Sequence, residues 1–112
     1  NPKWSREEII IVLDVYLEKF PNIPEKNSYE IDNLSNFLQK FHKGIDVNKN
    51  HRNLRNTNGI YMKMMNFHHL NPNYIGKGLS SVSKLDKEVF YEYYENKIDL
   101  KKIVKEIKNN LN

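Results

Sequence analysis

Apolar residues recur at three- and four-residue intervals in five separate stretches of this chain, and no stretch alternates apolar with polar. That pattern calls for helices and gives a sheet no half-buried strand to be built from. The clearest stretch is residues 5–20. Ser5 and Glu8 have the spacing of a capping box, with Ser5 as N-cap and Glu8 at the third helical position. Glu7 and Glu8 also suit the positive end of the helix dipole. Ile9, Leu13, Tyr16, Leu17 and Phe20 then share a face, Trp4 takes the staple position over Ile9, and Pro21 stops the helix.

The other four follow the same logic. After a loop at 22–27, a second helix is predicted from about Ser28 to Phe41, with Ile31, Leu34, Leu38 and Phe41 inward and Gly44 as terminator. Residues 45–56 read as a polar loop. Asn56 is a good N-cap for a third helix over about 57–69, where Ile60, Met64 and Phe67 share a face that Tyr61 and Met65 extend. Asn71-Pro72-Asn73 ends it. Gly76-Lys77-Gly78-Leu79-Ser80-Ser81 reads as a flexible basic loop. Ser83 caps a fourth helix running to about Asn96, with Leu85, Val89, Phe90 and Tyr93 inward. Asp99 caps a fifth, striped by Leu100, Ile103, Val104, Ile107 and Leu111. The expected fold is an all-α compact bundle of about five helices with a basic loop-helix-loop middle. At 112 residues it makes one domain, 1–112.

Composition narrows the chemistry. With no Cys, a disulfide framework, a thiolate zinc site and a thiol nucleophile are excluded. The longest apolar run, Ile9 to Leu13, is far short of the ~20 residues that span a bilayer. A soluble, cytoplasmic protein is expected, with no membrane partner. The first residue is Asn1 rather than Met, which predicts a piece of a longer chain. Asn appears 17 times and Ala never, a bias of the coding sequence that warns against reading every Asn as functional.

The net charge of +4 is modest, but its distribution is uneven. Residues 47–85 hold no Asp or Glu and carry Lys49, Arg52, Arg55, Lys63, Lys77 and Lys84. A one-signed block inside a folded domain is an electrostatic footprint for a polyanion. Arg52 and Arg55 precede a helix N-terminus, where free amides and the dipole favour an anion, and Lys63 lies further along that helix. Asn56, Asn58 and Ser80 add short polar groups. The expected DNA-binding residues are therefore Lys49, Arg52, Arg55, Asn56, Asn58, Lys63, Lys77, Ser80 and Lys84. Solvated side chains and a plain Asn cap are the alternative reading of the same residues.

No catalytic constellation emerges. His68 and His69 are adjacent on a helix and point about 100° apart, so they do not converge on one ion; with His51 they form no expected metal site, and no cofactor is expected. His68 and His69 read as helix-end residues, and His42 supports no claim. Asp86, Glu88, Glu92 and Glu95 read as the solvated face of the fourth helix beside Lys84 and Lys87. Tyr91, Tyr93 and Tyr94 read as core and rim.

Two segments carry a family resemblance. Pro2-Lys3-Trp4-Ser5-Arg6-Glu7-Glu8 leading into Leu13-Asp14-Val15-Tyr16 is similar to the opening of many bacterial HNH endonuclease proteins. The segment from Arg55 to Phe67 (Arg-Asn-Thr-Asn-Gly-Ile-Tyr-Met-Lys-Met-Met-Asn-Phe) resembles their Arg-Asn-Pro-Asn-Gly-Val-Tyr-Met-Lys-Leu-Met-Asn-Phe. Leu70-Asn71-Pro72, Gly76-Lys77-Gly78-Leu79-Ser80 and Ser83-Lys84-Leu85-Asp86 continue the likeness, which covers nearly the whole chain. The family is the N-terminal head domain of McrA-like, modification-dependent restriction endonucleases. Thr57 stands where the family often has Pro, Leu54 replaces an aromatic, and Asn71 replaces an acid. The resemblance implies a non-catalytic module of a bacterial defence nuclease whose HNH domain lies elsewhere. Its partners would be double-stranded DNA, plain or modified, and the other domains of the same nuclease. A protein-interaction or dimerisation module is the alternative. An independent nuclease is the weakest reading, for want of a metal constellation.

Overall fold

The first helix is more deeply buried than its one-faced pattern predicts. The computed structural model describes residues 2–45 and 54–111, in which α1 spans Arg6–Lys19. Ile9, Ile10, Ile11, Val12 and Leu13 are all buried, at 0–3% exposure. Four β-branched residues in a row weaken helix propensity slightly. Burial all round overrides that, because α1 packs against α3 (Thr57–Leu70), α4 (Lys84–Tyr93) and α5 (Lys97–Asn109) at once. The fold is an all-α bundle of five helices among the described residues, with α1 as its central element; α2 (Tyr29–Ile45) packs mainly on α3.

The N-terminal caps form as their residues suggest. Ser5 Oγ accepts from Glu8 N at 3.3 Å, and Glu8 Oε1 accepts from Ser5 N at 3.0 Å. Asn56 Oδ1 accepts from Gly59 N at 2.8 Å. Ser83 makes a second capping box, with Asp86 at the third helical position. At the fifth helix the expected cap is wrong. Asn96 holds the N-cap position without a side-chain bond, and Asp99 lies inside the first turn. Asn96 instead donates to Glu92 O at 2.8 Å, which closes α4 three residues earlier than its pattern suggests.

Two glycine readings are also corrected. Gly44 does not end α2, which continues to Ile45. Glycine stops a helix by adopting the left-handed conformation, and no described glycine has a positive φ. The loop 74–82 is not a free flap. Leu79 N–H donates to Met65 O at 3.1 Å, laying the loop along the C-terminal half of α3. A Cβ on Gly78 would stand 2.3 Å from Met65 O and 2.4 Å from His69 N, both backbone atoms. Only glycine lets these two backbones approach so closely. Leu111, expected on the α5 stripe, lies beyond the helix end and is exposed. No helix among the described residues is long and apolar enough to cross a membrane.

These contacts predict opposite outcomes at two glycines. Gly78→Ala forces backbone to move and is expected to cost about 1–3 kcal/mol, the usual penalty of overpacking. Gly59→Ala meets only Asn56 Oδ1, at 3.4 Å, and lies in the first turn of α3. It is expected to raise stability by up to about 1 kcal/mol through helix propensity. Thermal unfolding followed by circular dichroism of the two variants checks both signs.

Candidate nucleic-acid interface

The four described cations of residues 47–85 divide into two pairs, Arg55 and Lys63 inside and Lys77 and Lys84 outside. Arg55 and Lys63 are inside the protein, at 4% and 7% exposure. Arg55 Nε donates to Glu8 Oε2 at 2.6 Å and Arg55 Nη2 to Glu8 Oε1 at 3.0 Å, a bidentate pair. The same Nη2 also reaches the carbonyls of Pro2 and Lys3, each at 3.0 Å. Lys63 Nζ donates to Asp86 Oδ1 at 2.8 Å and Oδ2 at 3.1 Å. Both cations lie against one aromatic ring, with Arg55 Cζ 4.5 Å and Lys63 Nζ 4.8 Å from the Trp4 centroid.

The expectation that Arg55 and Lys63 meet phosphates is therefore corrected: each is buried and neutralised by a carboxylate. Asp86 is likewise not on a solvated face, being 1% exposed beneath the start of α4. Trp4 holds two cations rather than simply stapling Ile9. His42 has a role after all, its Nε2 lying 2.7 Å from Glu8 Oε2. The backbone around Arg55 is fixed from α2, where Ser35 Oγ donates to Arg55 O at 2.9 Å and Gln39 Nε2 to Leu54 O at 3.2 Å. Arg55 has a φ of 49°, a left-handed conformation uncommon outside glycine, and these bonds hold it there.

The second group faces solvent. Asn56, Asn58, Lys77, Ser80 and Lys84 are exposed. Asn56 acts as the α3 cap. Asn58 Oδ1 accepts from Lys26 Nζ at 3.1 Å, which draws a cation from the loop before α2 to the α3 N-terminus. Sequence spacing gave no sign of Lys26, 32 residues away. The first turn of α3 contains no acid, whereas α1, α2, α4 and α5 each have at least one there. Asn56 caps one amide, but the α3 dipole meets no carboxylate in its own first turn. Lys77 and Ser80 lie on the loop pinned to the C-terminal half of the same helix. Lys84 opens α4 two residues before the partner of Lys63. Lys49, Arg52 and His51 lie outside the described residues.

His68 is a buried ring rather than a solvated helix end. Tyr16 Oη lies 2.7 Å from His68 Nδ1, and Asn71 Nδ2 donates to Tyr16 Oη at 3.0 Å. Asn71 Oδ1 accepts from Asn73 N at 2.9 Å, which fixes the amide orientation. With Asn71 donating to its oxygen, the Tyr16 hydroxyl has its own proton available for Nδ1 of a neutral imidazole. Tyr74 stacks on the other side of the network, its ring 3.7 Å from that of His68. Burial lowers the His68 pKa below its ordinary value and pushes Tyr16 up to about 12 despite the Asn71 bond. His69 is exposed. No three His, Cys, Asp or Glu among the described residues gather as metal ligands would.

Burial pushes the Glu8 carboxyl up, but the Arg55 hydrogen bond, the Ser5 amide, the Arg55 charge and His42 together hold it below its ordinary 4.5. Two acid steps in stability follow. A depressed folded pKa leaves the unfolded chain binding more protons, so stability falls as pH falls. The His68 contribution is full above 6.5 and declines below it; that of Glu8 is full above 4.5 and declines below that. Denaturant unfolding across pH 7.5 to 3 is expected to show both, with His68→Gln removing the upper step. Glu8→Gln or Asp86→Asn strands a buried cation and is expected to cost about 3–5 kcal/mol at pH 7. An unfolding midpoint unchanged in either variant would contradict the pairing.

Compared with family models, curated proteins and solved structures, the chain matches none.

Proposed function

We propose that this chain is a non-catalytic DNA-binding module of an HNH-type restriction nuclease, acting in bacterial defence. It would meet duplex phosphates along the surface that runs over α3 and the loop ahead of α4. The observation that carries this reading is the acid-free stretch of residues 47–85, which contains a helix whose first turn has no acid. Lys26 bonds Asn58 in the first turn of α3, and Lys77 precedes Gly78, which lies against Met65 and His69 in the other half of that helix. The helix is about 20 Å long, a length along which a duplex strand presents several phosphates. Asn56, Asn58 and Ser80 belong to the same exposed set. Lys49 and Arg52, on the segment leading to α3, belong to the proposed contact set by sequence.

Arg55 and Lys63 act in this reading as positioning residues. The Arg55–Glu8 pair fixes the start of α3 to α1 and the Lys63–Asp86 pair fixes α4 to α3, and so they fix the surface that Lys77 and Lys84 occupy. Phosphate contacts position a protein on DNA but carry no sequence information, so base or modification reading can reside in another domain.

Fluorescence anisotropy with a labelled duplex, plain or cytosine-methylated, across a salt series tests this. Lys77→Glu/Lys84→Glu leaves both buried pairs intact. It is expected to weaken binding and to make the log–log salt slope shallower by about 1.8, the loss of two phosphate contacts. Unchanged affinity and slope would sink this surface. Altered self-association with unaltered DNA binding would favour a docking module instead.

A further inference from the structure

We propose that the outer face of α5 is a second polyanion-binding surface, shaped for the phosphodiester backbone of a nucleic acid. Residues 97–112 carry five lysines against two acids. The aliphatic stems of Lys97, Lys101, Lys102 and Lys105, with Ile98, form one shallow open surface on this helix, so the case for an anion rests on the ammonium groups these stems carry. The opposite side of α5 is already occupied, since Leu100, Val104 and Ile107 are buried in the core. Lys101 is committed to structure: its Nζ lies 2.8 Å from Asp14 Oδ1 and 2.8 Å from Glu18 Oε2, which tie α5 to α1. Lys97, Lys102 and Lys105 are exposed and have no carboxylate within 4.0 Å among the described residues.

Three free ammonium groups thus lie along about 12 Å of helix axis. A duplex strand offers a phosphate every ~3.4 Å of its own axis, so three or four phosphates fall within that length. A lipid surface fits less well. Membrane-lying helices insert a broad apolar face, and here Ile98 is the one exposed large apolar side chain among the lysines. This face is separate from the α3 surface, because α3 and α5 both pack on α1 and α4 and share no substantial interface.

The test is Lys97→Glu/Lys102→Glu/Lys105→Glu against the parent chain and a Lys→Arg triple variant, each titrated into a labelled 20-base-pair duplex across a salt series. The glutamate variant is expected to bind at least tenfold more weakly, with a slope shallower by about 2.7, while the arginine variant matches the parent. Equal binding by the glutamate variant overturns the proposal. So does loss of binding to phosphatidylserine vesicles with duplex binding unchanged. The α3 surface fails separately: Lys77→Glu/Lys84→Glu without effect, beside a weakened α5 variant, removes that reading and leaves this one. A parent chain that binds no duplex at low salt removes both.

Discussion

The Glu8–Arg55 pair is the contact on which the arrangement of this bundle depends. Glu8 belongs to the first turn of the central helix, where its backbone and side chain already close the capping box with Ser5. Its oxygens then hold Arg55 from the segment entering α3 and His42 from α2. One carboxylate thereby satisfies a helix end and joins three parts of the chain. Buried ion pairs are seldom more stable than an apolar replacement, because desolvation offsets the attraction. What such a pair does enforce is geometry. A carboxylate at 0% exposure with five polar contacts from Ser5, His42 and Arg55 around it admits few other arrangements of α1, α2 and α3.

The same device occurs again at α4. Ser83 and Asp86 repeat the spacing of Ser5 and Glu8, Asp86 is buried, and Lys63 answers it as Arg55 answers Glu8. Trp4 lies against both cations, so the two pairs meet on one ring. A π-face attracts each cation and excludes water from it, which strengthens both pairs. The N-terminal residues ahead of α1 therefore take part in fixing α3 and α4.

Much of this was legible in the chain. Period located all five helices and most caps formed as expected, while some ends differ by a few residues, as where the local bond from Asn96 to Glu92 O closes α4 early and where α2 runs past Gly44. The burial of Arg55, Lys63 and Asp86 was not legible from charge, because charged residues are mostly exposed and spacing says nothing about partners 47 or 23 positions away. One local signal did exist. A carboxylate at the third position of a capping box directly before an apolar run is bound to lie near the core, and a buried carboxylate requires a cation. The Ser5–Glu8 box would have claimed one of the six cations of the acid-free stretch, whereas Asp86, followed by Lys87 and Glu88, carried no such signal. Gly78 was misread for a similar reason: Gly-Lys-Gly signals a turn locally, while its close approach to the α3 backbone is set by Met65 and His69.

The separation of structural from solvent-facing cations changes how the basic stretch bears on function. Counting residues treats its six positive charges as one patch. The structure shows that two of them are neutralised inside, and that Lys26 and the α3 N-terminus add positive potential the count omits. The electrostatic surface is thus made by folding: two acids, Glu8 and Asp86, are drawn inward with their cations, and Lys26 from another segment is set beside a helix end without an acid of its own. Charge reversal at Arg55 would confuse loss of contact with loss of fold, whereas Lys77 and Lys84 isolate the surface. Because α1 carries α3 and α5 alike, a bundle ordered by the Glu8 and Asp86 pairs holds any polyanion bound on α3 in a fixed relation to the lysines of α5.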